Sequence, residues 1–262
     1  MANDLEKTTG ALTSLLDSYV THRDPHVGVF GVNNTLIPVG NGTFIEVISP
    51  FESHTASSRF LSKQGEGGYM ILVQVNGVQG MSAAMEASEE MEWIHKGSMN
   101  VDLEPCDFSD QAPGFNGSGI SGFHLHPREV GCIAELTLQH PRSHWLWAGN
   151  DWLTADERTR IAHGPCGGLA GVEIHVSSIG FRNVIDSWVK LLQIKELTEI
   201  SAGVVDIVLD NDSFLRLVSS KISKGVQKLF IYSTKMPHGS CEKVAGLDIC
   251  FVDPLSEVVS KL

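Results

Sequence analysis

The sequence predicts an α+β protein built from two successive strand-and-helix modules. Three observations carry this. Apolar residues recur at helical spacing in only a few short stretches. Many other stretches are compact apolar runs bounded by Gly, Pro, Asn and Asp. A strand, helix, several-strands order occurs twice along the 262 residues, with little direct identity between the halves.

The elements follow in order. Residues 4–20 place Leu5, Leu12, Leu15, Leu16 and Tyr19 on one face and are expected to be helical. Two strands, 27–39 and 43–49, flank Gly40-Asn41-Gly42, a hairpin turn signal, and Pro50 closes the second. A short helix is expected at 57–63, because Gly65-Glu66-Gly67-Gly68 then breaks the pattern, and 69–75 reads as an apolar strand. Residues 80–92 read as a helix with Met81, Ala84, Met85 and Ser88 on one side, and 99–121 as a long loop around a short strand. Strands at 122–125 and 131–139 surround a turn at Pro127.

A composition shift between His140-Pro141 and the run Gly164-Pro165-Cys166-Gly167-Gly168 marks a connection. The expected division is a first module at 1–140, a Trp-rich connection at 141–168 and a second module at 169–262. Trp145, Trp147 and Trp152 are expected to pack across the boundary, since their rings are costly to leave in water. In the second module a strand at 169–176 precedes a helix at 181–192 with Val184, Ile185, Trp188 and Leu192 on one face. A hairpin of 204–209 with 214–218 turns at Asp210-Asn211-Asp212-Ser213, and strands follow at 226–232 and 245–252.

Hydrophobic residues at 42% and charged residues at 19% describe an ordinary folded chain, long enough to bury a large core. A formal net charge of −12 argues against nucleic acid and against an anionic membrane surface as partners. The opening MANDLEK has no apolar signal region, and no stretch reaches the roughly 18 apolar residues of a membrane span. A cytoplasmic protein is the expectation. The five cysteines show no metal-type spacing, and Cys132 and Cys250 fall in apolar strand runs, so buried free thiols are expected. The glycine-rich stretch leads into a strand and lacks a following Lys-Ser/Thr, so it is not a phosphate cradle. No serine-hydrolase elbow or zinc-protease helix motif is present.

Four strings in order, GVNNTLIPVGNGTFIEVISP, RFLSKQGEGGYMILVQ, FHLHPREVGCIAEL and WLWAGNDW, resemble glyoxalase-like proteins of the vicinal oxygen chelate superfamily. The likeness covers about 4–152, with a weaker echo in 169–253. It implies two βαβββ modules whose mixed sheets curl into a cup with helices outside. It also implies a divalent ion (Mn, Fe, Co, Ni or Zn) held in the cup by His, Glu and a further His and Glu.

Carried onto this chain, the resemblance assigns the second ligand to Glu46 and the fourth to Glu135, one residue off the expected spacing. The third falls on Met70, whose thioether is a poor ligand for such ions. The first has no position, because the strand that would supply it precedes the helix at 4–20. The expectation is that either the first module lacks its first strand, leaving an edge for a homodimer partner or another segment to cover, or the biological chain is longer than this sequence.

Strand alternation adds to this set. Phe44, Glu46 and Ile48 share one face, as do Ile133, Glu135 and Thr137, and Gln74 lies with Met70. His124 and His126, two apart, offer an alternative ligand pair or a mere turn feature at Pro127. Glu173 and His175 share the cup face of the second module, and Arg59 could meet a substrate carboxylate. The leading expectation is a small-molecule lyase, isomerase or epimerase using Glu46 and Glu135 as acid–base pair, with Arg59, Met70, Gln74, Glu173 and His175 contacting a compact oxygenated substrate. The alternatives are a binder without metal or chemistry, and a structural protein whose cup is filled by its own side chains.

Overall fold

The computed structural model describes residues 1–97, 119–140, 148, 166–195, 197–209 and 213–253. Helix α1 (Leu5–Leu16) starts at Asp4, whose side chain accepts from the Lys7 N–H, and stops where Asp17 turns left-handed. The expected strand at 27–39 is shorter than its pattern. Pro25 and the Asp24 cap start a 3₁₀ helix, Pro25–Phe30, which Gly31 ends at positive φ. Strands β1 (Val32–Gly40) and β2 (Thr43–Pro50) then pair antiparallel across Asn41-Gly42.

Helix α2 (Ala56–Gln64) precedes β3 (Met70–Gln74), α3 (Gly77–Ala87), β4 (Trp93–Gly97), β5 (Gly119–Leu125), the single turn α4 (Pro127–Val130) and β6 (Ile133–His140). These strands form a four-stranded sheet in the order β3-β6-β5-β4. The second half runs β7 (Cys166–Ser177), α5 (Phe181–Leu192), β8 (Thr198–Ser201), β9 (Val204–Val208), β10 (Phe214–Ser220), β11 (Gly225–Ser233), β12 (Cys241–Val244) and β13 (Leu247–Val252). Its sheet order is β12-β13-β11-β7-β10-β9-β8.

The duplication is plain in the hydrogen bonds. In both β3-α3-β4-β5-β6 and β7-α5-β8-β9-β10 a strand and a helix are followed by three strands. In each the first strand lies parallel to the last, and the remaining pairs are antiparallel. The repeat of the first half thus starts at β3. Helix α1 and the β1–β2 hairpin stand ahead of it. Part of the β2 edge is met by the chain start, where the Ala2 N–H donates to Ile48 O at 2.9 Å.

Period-2 alternation sends one face of most strands to a common core. Val172, Ile174 and Val176 of β7 pack with Val184, Ile185 and Trp188 of α5, and Ala134, Leu136 and Leu138 of β6 join the same cluster. Trp188 is fully buried, and its indole N–H donates to Val130 O at 3.0 Å, tying α5 to the first half. Gly131 permits that approach: a Cβ there would lie 2.9 Å from Val176. Trp145, Trp147 and Trp152, expected at this boundary, lie outside the described residues. No described helix is long and apolar enough to cross a membrane.

The free-thiol expectation needs one correction. Cys241 and Cys250 face each other across the β12–β13 pair and are joined by a disulfide, whereas Cys132 and Cys166 are buried free thiols. Linear spacing could not show this pair, because only the antiparallel register brings the two residues together.

Candidate functional site

Glu46 stands in the middle of β2. Its neighbours Ile45 and Val47 enter the core, so alternation turns Glu46 the other way, onto the wall of a cavity of about 940 Å³. The GNG turn sets the hairpin register, which brings Asn34 of β1 diagonally across from Glu46. Asn34 Nδ2 donates to Glu46 Oε1 at 2.7 Å, while Asn34 Oδ1 accepts from the Asp24 N–H at 2.8 Å. The second bond orients the buried amide so that its NH2 group meets the carboxyl.

Burial is the main force on Glu46 and pushes its pKa above the ordinary carboxylate value. The Asn34 hydrogen bond opposes the rise, and the nearby Glu135 charge adds to it. Met70, Leu72 and Gln74 of β3 line the same cavity, with Phe44 and Ile48 of β2 and Leu12 of α1. Residues of the second half close it, among them Leu229 of β11 and Ile249 of β13.

Glu135 lies on β6, opposite Leu72 in the parallel β3 pairing, and is buried. Its carboxylate is occupied: Oε2 lies 2.9 Å from His124 Nε2 on the facing residue of β5. Gly122 leaves room for it, since a Cβ there would sit 3.0 Å from Glu135 Oε1. Glu135 acts on Glu46 through space but is not among the residues lining the cavity.

The remaining expected residues separate. His126 caps α4, its Nδ1 accepting from the Arg128 N–H at 3.2 Å, and it sits 3.6 Å from Glu92. Arg59 is exposed on α2 and donates to His54 O at 2.7 Å, away from the cavity lining. Glu173 and His175 lie on the cup face of β7, bonded to each other at 2.8 Å, with Lys228 Nζ 3.6 Å from Glu173. On that same face Arg216 makes a two-pronged pair with Asp206 at 2.8 and 2.7 Å and lies over the rings of Phe214 and Phe230.

Sequence reasoning missed Asn34, Asp206, Arg216 and Lys228. For Asn34 a signal existed: the two-residue turn sets the register that places it beside Glu46. The others become visible only through pairings of distant strands.

The donor set does not fit a resident divalent ion. Glu46 is held by an amide, Glu135 by an imidazole, and Met70 supplies a thioether. Among the described residues no three His, Cys, Asp or Glu side chains converge.

In sequence the chain matches no protein family and no curated protein. In structure it is similar to a hypothetical protein from Staphylococcus aureus, with TM-score 0.60, 12% identity, and coverage of 90% of this chain and 88% of that one. It is also similar to a mutant of 4-hydroxymandelate synthase from Streptomyces coelicolor, with TM-score 0.57, 12% identity, and coverage of 88% and 68%. A xylose isomerase-like TIM barrel/4-hydroxyphenylpyruvate dioxygenase fusion protein matches at TM-score 0.52 and 10% identity, over 88% of this chain and 35% of that one. At these identities the likeness is one of fold: curled mixed sheets of βαβββ modules with helices outside, the vicinal oxygen chelate architecture.

Proposed function

We propose that the chain is a small-molecule enzyme of the lyase, isomerase or epimerase kind, with Glu46 as its acid–base group. The observation that carries this reading is a carboxyl of raised pKa on the wall of a roomy, mostly apolar cavity, hydrogen-bonded to an uncharged amide. Isomerisation, epimerisation and β-elimination share a first step, removal of a proton from the carbon beside a carbonyl. Ionised Glu46 would take that proton onto a carboxylate oxygen and, once neutral, return it to carbon or to a leaving group. A raised pKa suits both halves of the cycle, because it brings the base nearer the working pH. Asn34 holds the carboxyl while its charge changes. Glu135, bonded to His124, contributes a second negative field that favours the protonated form of Glu46.

The test is proton exchange. Compact aldehydes, ketones and thioesters would be incubated with the protein in D2O and followed by NMR. Wild type should place deuterium on the carbon beside the carbonyl, and Glu46→Gln should slow this at least about 100-fold.

A second reading is binding without chemistry. The commitment of Glu135 to His124 favours it, since a single available carboxyl remains. Ligands that perturb cavity residues yet never exchange a proton would establish that reading against the enzymatic one.

A further inference from the structure

The charge inventory of the cavity points to the charge of its ligand. Among the described residues that line it there is no lysine, arginine or histidine side chain. Its ionisable side chains are Glu46 and Tyr69, and burial drives the Tyr69 phenol above its ordinary pKa, keeping it neutral. The Met1 amino group also reaches the wall, where it donates to Gly67 O at 2.9 Å. Burial lowers that amine to about 6, so it carries no fixed positive charge at pH 8. The charges felt by Glu46 are negative from Glu135 on β6 and Asp24 ahead of the 3₁₀ helix, and positive from the Met1 amine when it is protonated. Glu46 Oε1 is taken by Asn34, and Oε2 has no hydrogen-bond partner among the described residues.

At pH 8, where the Met1 amine is neutral, an anion entering this space would meet negative potential in a desolvated setting and no cation to pair with. A neutral molecule would meet no penalty. A cation would remove the repulsion that holds Glu46 protonated. We infer that the cavity selects a compact organic amine in its ammonium form, with an apolar body lying against Met70, Leu72 and Ile48. This deepens the acid–base reading of Glu46 and rests on the same cavity. The ligand's own positive charge draws the Glu46 pKa down, so binding releases a proton and generates the carboxylate that the chemistry needs. The chain's net charge of −12 works in the same direction at longer range.

Three probes of matched shape test the inference: cyclohexylmethylamine, cyclohexylmethanol and cyclohexanecarboxylate. Binding to the full chain would be measured by calorimetry at pH 5 and pH 8, with amide chemical shifts locating each probe. The expected order at pH 8 is amine over alcohol by at least about tenfold, with the carboxylate weakest. The amine's affinity should rise from pH 5 to pH 8 in wild type and rise far less in Glu46→Gln, where only the Met1 amine still titrates over that range. That variant should keep alcohol binding. A carboxylate that binds as well as the amine, or an amine preference that survives Glu46→Gln, overturns the inference. If the alcohol binds in the cavity and the amine binds no better, charge selection fails while the small-molecule site stands. If no probe shifts a cavity residue, both fail together.

Discussion

The strand face of β7 to β11 and the cavity behind β2 handle buried charge in opposite ways. On the face formed by β7, β9, β10 and β11, every charged group described above is paired. Asp206 accepts two hydrogen bonds from one edge of Arg216, Glu173 holds His175 and approaches Lys228, and two phenylalanine rings lie by the guanidinium. In the cavity between β2 and β3, Glu46 is met by a neutral amide and its charge is left to the ligand. The repeated strands thus pair their buried charges, as Glu135 with His124 in the first half, whereas Glu46, on the hairpin ahead of the repeat, is left available. Buried charges that are paired specify structure, and a buried carboxyl without a countercharge is a candidate for chemistry.

The comparison can be broken most severely at its structural pole. Asp206→Ala leaves Arg216 buried without its carboxylate and should cost about 3–5 kcal/mol in urea unfolding. A cost below about 1 kcal/mol would mean that the pair is wet and the contrast between the two regions is false.

A smaller effect is expected at Gly122. A methyl group there crowds Glu135 Oε1 and Leu136 O, each at 3.0 Å from the new Cβ. Gly122→Ala should cost about 1–3 kcal/mol and shift the His124 imidazole signals in NMR.

At the functional pole the sign reverses. A carboxyl whose folded pKa lies above its unfolded value binds its proton more tightly when folded. Its stabilising contribution is complete below the ordinary glutamate range and is lost as pH rises through the raised folded value. Glu46→Gln cannot ionise and escapes that loss. Its stability should equal wild type near pH 4 and exceed it at pH 8 by about 1 kcal/mol, a few degrees in Tm. Equal melting curves at both pH values would show that Glu46 ionises freely.

The smallest effect belongs to Lys228, whose ammonium sits 3.6 Å from Glu173 and is partly exposed. Lys228→Met should change stability by about 0.5 kcal/mol or less, measured by denaturant titration. A larger loss would promote this ion pair to the standing of the Asp206–Arg216 pair.

Local patterning was enough for most elements. The spacing of Leu12 and Leu16, the GNG turn, the apolar run of β3 and the face of Val184, Ile185 and Trp188 all found their structures, because each signal is local and agrees with its burial. The strand expected from 27 failed at Pro25–Phe30, where a proline and a capping aspartate outweigh apolar composition. Strand β8 and strand β12 carry no apolar run of their own and went unread, since edge strands bury little.

For the site, alternation alone placed Glu46 off the core face and Glu173 beside His175, and one turn motif held the information that Asn34 lies next to Glu46. The sequence by itself thus determined which residues face away from the core, because side-chain direction in a strand has period two. Only the tertiary structure decided which of those residues are neutralised and which are left available. That depends on pairing between strands far apart in the chain: β5 with β6 brings His124 to Glu135, and β9 with β10 brings Asp206 to Arg216. It decided the Cys241–Cys250 bond in the same way, through the register of β12 against β13. Alternation is a property of one strand, whereas countercharge is a property of its neighbours, and the neighbours are chosen by the fold.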